Sequence, residues 1–391
     1  MQKKIALIII FFVIITFSIF IYKNVKTKKN KKKDIILFNW GEYIDSEIIN
    51  NFNKESQKFN VKQMFFSSNE LAINKIKAGN KYDIAILSEY AIEQLLQNNN
   101  LEKIKNINTL LKKKNIFTNE FEQIKTKRDN NNNIWEYIIP YFWGKIGILY
   151  RKDKLDREKI INLEKTIKNP EYKIALYNNP FEVIFLGLKI TGGDISVNSQ
   201  EEIKKAKELL IEIKKINTNL SFITDQLLDR MKTKNKEHYD IVVAYSGDAR
   251  YLMKQNDNLG YYQFDQESDS KKIKKGTNIW FDALVLPKGS DQEGAYEFIK
   301  FLLKPENIKR NQSFINYDTP YIQENEHYPN ELQLKIIDED KIYKYNEKNK
   351  KQINDAWNEI YTYPSYKDKY LILLSFIIWI LFYLIYIFMK K

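Results

Sequence analysis

Y-D-I-A-I-L-S-E-Y, residues 82–90, sets the fold class. Its apolar run is too short for a helix and too continuous for a half-exposed strand, so it reads as a strand buried on both faces. It runs straight into Ser88, an N-cap residue for a helix bearing Ile92, Leu95 and Leu96. The same unit stands upstream: I-I-L-F-N-W at 35–40, a helical stretch after Ser46, V-K-Q-M-F-F at 61–66 and a helix opening near Ser68. Strand and helix alternating in this way make an α/β domain with a mainly parallel sheet.

Downstream, residues 101–133 are rich in Lys and Asn and read as a polar surface excursion. The apolar stretch I-I-P-Y-F-W-G-K-I-G-I-L-Y at 138–150 is extended and marks a crossing between domains. A second α/β unit follows: K-I-A-L-Y at 173–177, a helix from Phe181, a capping box at Ser199 and Glu202, and the strand D-I-V-V-A-Y at 240–245. W-F-D-A-L-V-L-P at 280–287 returns to the first domain. A second capping box, Ser290 to Glu293, then opens a helix that stops before Pro305, and the remainder to about Thr362 is expected to be helical.

The expected architecture is two α/β lobes around a cleft. Lobe 1 takes 34–143 and 266–325, and lobe 2 takes 144–265 and the C-terminal helices of 326–363. In such sheets ligands sit outside the carboxyl ends of the strands. Those ends carry Trp40 and Tyr43, Ser88 and Tyr90, Tyr245 and Asp248, and the return segment adds Trp280 and Asp282. Rings and carboxylates together suit an organic ammonium, since ring faces attract cations and a carboxylate gives a charge-assisted hydrogen bond. Glu182, Asp282 and Asp248 are the candidate carboxylates, with Asp282 favoured because apolar residues flank it.

Charge and composition exclude other classes. Of the net +13, nine Lys and no acid lie in residues 1–33, and four Lys against Asp368 lie in 364–391, so the body carries about +1. A near-neutral body without basic stripes argues against nucleic acid. There is no Cys, and the two histidines, His238 and His327, come with no nucleophile, P-loop or zinc motif. Neither an enzyme nor a metal or cofactor protein is expected.

Without a lipid-modifiable Cys another anchor is needed, and two are expected: the apolar runs at 5–22 in the segment 1–33 and 370–389 in the segment 364–391. The first is longer than a signal-peptide core and lacks a small-residue cleavage site, so it reads as uncleaved. Seven Lys follow it and two precede it, which by itself favours a cytoplasmic body. The cell membrane with an extracytoplasmic, monomeric binding body is nonetheless expected, because the body resembles an external protein.

That resemblance is to the spermidine/putrescine-binding proteins of bacterial ABC importers. It covers roughly 34–362 and rests on F-N-W-G-E-Y at 38–43, Y-D-I-A-I-L-S-E-Y at 82–90, I-P-Y-F-W-G at 139–144, W-F-D-A-L-V-L-P at 280–287 and Y-D-T-P at 317–320. It implies a two-lobed periplasmic-binding-protein fold, a polyamine ligand and ABC permease subunits as partners. Trp40, Tyr43, Ser88 and Tyr90 would line one wall, Glu182 and Tyr245 the other, with Trp280, Asp282 and Tyr317 completing the pocket. Two positions depart from the family. Its Asp-x-x-Glu reads Asn179-Pro180-Phe181-Glu182 here, and its Trp near 245 is Tyr245. Asp248 or Glu89 would then compensate for the lost carboxylate. Binding of another organic cation, or a surface interaction protein that kept the fold, are the alternatives.

Overall fold

The structure is a computed structural model that describes residues 15–16, 32–105, 107–111, 116–128, 133–196, 199–223, 227–268, 273–322, 333–343, 346–364 and 366–389. Eleven strands are described, β1 (Lys33–Trp40), β2 (Phe59–Phe66), β3 (Ile84–Ser88), β4 (Leu101–Glu102), β5 (Ile138–Arg151), β6 (Ile174–Tyr177), β7 (Leu220–Ile223), β8 (Ile241–Tyr245), β9 (Leu259–Tyr262), β10 (Asn278–Pro287) and β11 (Lys341–Ile342). They run in the order β2-β1-β3-β10-β5-β8-β6-β7, with β4 and β11 on β10 and β9 on β5.

β5 divides this array into two lobes. Its first half, Ile138 to Lys145, pairs antiparallel with β10. From Ile146 onward it pairs with β8, and from Ile148 with β9. Thirteen of its fourteen residues are buried, the continuous apolar pattern of a strand covered on both faces. In lobe 1, β1 pairs parallel with β2 and β3; in lobe 2, β6 pairs parallel with β7 and β8. Lobe 2 buries Ile148, Ile174, Val183, Leu210 and Trp357 on one face of its sheet and Leu149, Val242 and Leu252 on the other. The two faces of lobe 1 bury Ile35, Ile84 and Phe298, and Phe38, Leu87 and Phe281.

Several expectations needed correction. Residues 101–133 are not only a surface excursion. The helix Asn119–Lys127 lies within them, and its Phe121 and Ile124 are fully buried beneath lobe 1. Two apolar residues three apart on a charged helix suffice to make an inward stripe. Arg128 at its end forms a buried ion pair with Glu93. The helix after β10 is capped by Asp291, whose carboxylate accepts from the amides of Glu293 and Gly294 at 3.1 Å, while the Ser290 hydroxyl stays unpaired. From Pro305 to Thr362 the chain is not helical throughout: Pro305–Ile315 and Glu347–Thr362 are helices, and 333–343 carries β11.

The apolar run at 5–22 lies outside the described residues apart from 15 and 16. At the other end a 24-residue helix, Tyr366–Met389, follows Glu347–Thr362 almost directly. Among the described residues no helix is long and apolar enough to cross a membrane. Within Tyr366–Met389, however, the side chains at 366–370, 372, 384 and 388 are not described. Its described apolar side chains, among them Leu373, Phe376, Trp379 and Phe382, are all exposed.

Candidate ligand-binding cleft

The strand ends of both lobes open on one cavity of about 1220 Å³, above the usual 300–1,000 Å³ of ligand sites. Trp40, Tyr43, Ser88, Tyr90, Glu182, Tyr245, Trp280, Asp282 and Tyr317 all line it, and so do Glu89, Asn179 and Asp248. Their positions follow from the topology. Trp40 ends β1 and Ser88 ends β3, with Glu89 and Tyr90 opening the helix Glu89–Gln97. Across the cleft, Tyr245 ends β8 and Asp248 lies in the first turn of Ser246–Gln255. Asn179 and Glu182 belong to the start of Pro180–Thr191, after β6.

Trp280 and Asp282 are two apart on β10, hence on one face of the sheet. Asp282 pairs across the ladder with Ser88, and Trp280 with Gly144. Gly144 admits the indole because a Cβ there would come within 2.8 Å of Trp280 Cζ2. Gly247 does the same for Tyr317, whose ring atoms would stand 2.5 Å from a Cβ. These two glycines let rings from lobe 1 lie against the backbone at the lobe junction.

The rings form a connected wall. Tyr177 stacks on Tyr245 at 5.1 Å, Tyr245 meets Trp280 edge-on at 5.6 Å, and Trp280 meets Tyr317 at 5.1 Å. Tyr43 stands 6.1 Å from Tyr317. Tyr90 reaches from lobe 1 to Phe181, 5.4 Å away, and to Tyr343 at 6.2 Å. Trp40 leans on Phe66 at 4.6 Å.

Among the carboxyl groups that line the cavity, burial drives four up. Asp282 is pushed to about 6 by desolvation, partly offset by the nearby Ser88 and Tyr43 hydroxyls. Asp282 Oδ1 and the Tyr43 hydroxyl nevertheless lack hydrogen-bond partners. Burial lifts Glu182 to about 7 although Tyr245 donates its hydroxyl to Oε1, and Oε2 is unpartnered. Glu89 rises to about 8 for the same reason; its Oε2 accepts from the Phe281 amide at 3.1 Å. Asp248 is also raised by burial, against the opposing pull of two tyrosines. Tyr177 donates to its Oδ2 at 2.8 Å and Tyr317 to its Oδ1 at 3.1 Å. Among the described residues no Lys or Arg contributes to the charge balance of Asp282, Glu182 or Asp248.

Two expectations about individual residues change. Ser88 stands at a helix N-cap without capping it; its hydroxyl accepts from Asn69 Nδ2 at 3.0 Å. Asn179 is a cap: its Oδ1 accepts from the Phe181 amide at 2.8 Å. The sequence reading missed Tyr177, Phe181, Asn69 and Tyr343, which also line the cavity. Tyr177 ends a strand and was accessible to the rule that found Tyr245. Tyr343 follows β11 in a stretch with no periodic signal. Among the described residues no His, Asp or Glu group is arranged to hold a metal ion.

Comparison with known proteins shows the family and the fold. A family model described as bacterial extracellular solute-binding protein matches residues 47–324. The spermidine/putrescine-binding periplasmic protein of Salmonella typhimurium is 25% identical over 293 residues, 73% of this chain and 77% of that protein. The putrescine-binding periplasmic protein SpuD of Pseudomonas aeruginosa is 24% identical over 298 residues, 70% and 74% of the two chains. Among solved structures, the spermidine/putrescine ABC transporter substrate-binding protein PotD of Streptococcus pneumoniae superposes with a TM-score of 0.61 at 28% identity. The match covers 85% of this chain and 99% of that one.

Proposed function

We propose, from the premise that this chain belongs to the bacterial extracellular solute-binding proteins, that its cleft captures a linear polyamine for an ABC importer. Capture, not catalysis, is the role of that family. One observation carries the reading. Asp282 and Glu182 are about 95% buried, each keeps an unpaired oxygen, and among the described residues no cation balances them. Burying a carboxylate without a counter-charge is costly, so the site is complete only when a cation enters. Trp280, Tyr245, Tyr317 and Trp40 flank the acids with ring faces that attract an ammonium and cover its alkyl chain.

In this reading Asp282 takes one ammonium against Trp280 and Tyr43, and Glu182 takes another beside Tyr245. Trp40, Ser88 and Tyr90 form the lobe 1 wall. The lobes, 34–143 with 266–325 and 144–265 with 326–363, close about the crossing at Lys145–Ile146 and its neighbours on β10. The closed, monomeric body then engages permease subunits. The helix Tyr366–Met389, about 36 Å long at 1.5 Å per residue, serves as a membrane anchor with residues 5–22, holding an extracytoplasmic body at the cell membrane. The exposure of Leu373, Phe376, Trp379 and Phe382 supports this, since a helix apolar on every side needs lipid or protein around it.

Calorimetric titration of the purified full-length chain with spermidine, putrescine and an uncharged isostere tests capture. Micromolar or tighter binding of the amines alone is expected. No heat from either amine, together with no thermal shift, overturns the reading.

A further inference from the structure

Among the described residues the chain passes between the lobes at three places. β5 crosses at Lys145–Ile146, where its partner changes from β10 to β8. The chain leaves β9 in lobe 2 and enters β10 in lobe 1 at Thr277–Asn278. It leaves lobe 1 again after β11, which pairs with β10 at Asn278 and Ile279, for the helix Glu347–Thr362, packed on lobe 2 through Ile353 and Trp357. One buried carboxylate ties all three passages. Asp340 Oδ2 accepts from Lys145 Nζ at 2.8 Å and from the Ile337 amide at 2.9 Å, and Oδ1 accepts from the Thr277 amide at 2.8 Å. The Thr277 hydroxyl donates to the Ile146 carbonyl at 2.6 Å, and the Lys341 amide donates to the Thr277 carbonyl at 2.9 Å. Gly276, at φ 85°, lies so close to Glu339 that a Cβ there would collide with its backbone. The Lys145 and Asp340 side chains are 2% and 0% exposed. Neither they nor Thr277 line the cleft, but their chain neighbours Ile146 and Asn278 do.

We propose that Asp340 is the pivot of lobe closure, a positioning residue that makes the three passages bend as one hinge. An ion pair this deep adds little net stability, because desolvation offsets most of the attraction. What it supplies is a fixed point. Hydrogen bonds that converge on one carboxylate hold its partners at a set distance yet tolerate some misalignment of angle. The passages can therefore rotate about Asp340 but not slide past one another. Without that point each passage flexes alone, and the empty chain spreads over more lobe arrangements. A smaller share of those arrangements presents a cleft that fits ligand. Apparent affinity falls in proportion to that share, through association, while the closed complex dissociates as before.

This inference deepens the closure described above, and its first readout needs no ligand. The chain has no Cys, so Gln57→Cys and Thr218→Cys place one nitroxide on each lobe, just ahead of β2 and β7. Pulsed electron–electron resonance on the full-length chain then reads the distance between them. The parent is expected to show one narrow distribution and Asp340→Asn a broadened one. Leu210→Ala, in the lobe 2 core, should lower the thermal midpoint without broadening it. In stopped-flow fluorescence, putrescine should associate with Asp340→Asn roughly threefold or more slowly than with the parent, at an unchanged dissociation rate. If Asp340→Asn does not fold, Thr277→Val takes its place with the same two expectations, since it keeps a similar shape and removes only the bond to Ile146. A distance distribution like the parent's in the folded variant overturns the pivot, as does equal broadening in Leu210→Ala or an unchanged association rate. A parent chain that binds no amine overturns the capture reading instead, and the distance distribution alone then decides the pivot.

Discussion

Replacing Asp282 with Asn should make the empty protein more stable and the binding protein worse, and pH should separate the two effects. Burial raises this carboxyl from an ordinary 3.8 to about 6. At 1.36 kcal/mol per unit, its ionisation destabilises the folded state by about 3 kcal/mol. A raised pKa contributes stability that is fully present below the unfolded value, near 4, and is lost as pH rises through 6. At pH 8 the parent chain therefore carries the whole penalty. Asn removes it and substitutes the smaller burial cost of an amide, about 1–3 kcal/mol. The net gain is about 1 kcal/mol, or about 2 °C in midpoint for a body of this size. At pH 4 the parent carboxyl is neutral, the ionisation penalty is absent, and the amide's burial cost should leave the variant less stable than the parent by about 1–3 kcal/mol. Affinity moves the other way: a hydrogen bond to a charged group, about 1.5–3 kcal/mol, is lost, and putrescine should bind at least tenfold more weakly. Thermal denaturation at pH 4 and 8 and calorimetry at pH 8 read both quantities. A variant destabilised equally at both pH values, or binding within threefold of the parent, would refute the reasoning.

Other expectations follow from the same map. Putrescine affinity should fall as pH is lowered from 8 to 5, because Glu182 and Asp282, with values of about 7 and 6, protonate over that interval; a flat calorimetric profile contradicts their role. The empty chain should lose stability as pH rises from about 4 to 8, since both folded values are raised, and saturating putrescine should oppose that loss at pH 8. Lys145→Met should cost about 3–5 kcal/mol in denaturant unfolding, because it strands Asp340, which Lys145 meets at 2.8 Å where both side chains are almost fully buried. Trp280→Leu should weaken putrescine roughly three- to thirtyfold through lost cation–π contact and remove most of any ligand-induced change in tryptophan fluorescence.

Strand-to-helix units show plainly in this sequence because their signals are local. The buried run at 84–87 ends at Ser88, and the run at 241–244 ends at Tyr245. Each is short, continuous and followed by a helical start. The strand-end rule therefore placed Trp40, Ser88 and Tyr245 near a common opening, and the return segment added Asp282. Residues 119–128 were misread because two buried side chains among many Lys and Asn leave a weak apolar signal; only the pairing of Arg128 with Glu93 and the packing of Phe121 on Phe281 show that this helix is part of lobe 1. The cap at Asp291 was assigned one residue early, since Ser290 and Asp291 are both good caps and the choice depends on which oxygen faces the amides.

By itself the sequence determined the α/β class, the crossing in β5, and the presence of rings and acids at strand ends. These depend on periodicity and on neighbours a few residues away. What only the tertiary structure decided is the state of each polar group. Asp248 looked like a spare ligand until Tyr177 and Tyr317, 71 and 69 residues away, were found on its two oxygens. Asn179 differs, because its oxygen caps the Phe181 amide two residues on and that contact is local. Residue type fixes how many hydrogen bonds a side chain can make, but which of them remain for a ligand depends on partners that folding brings from distant parts of the chain.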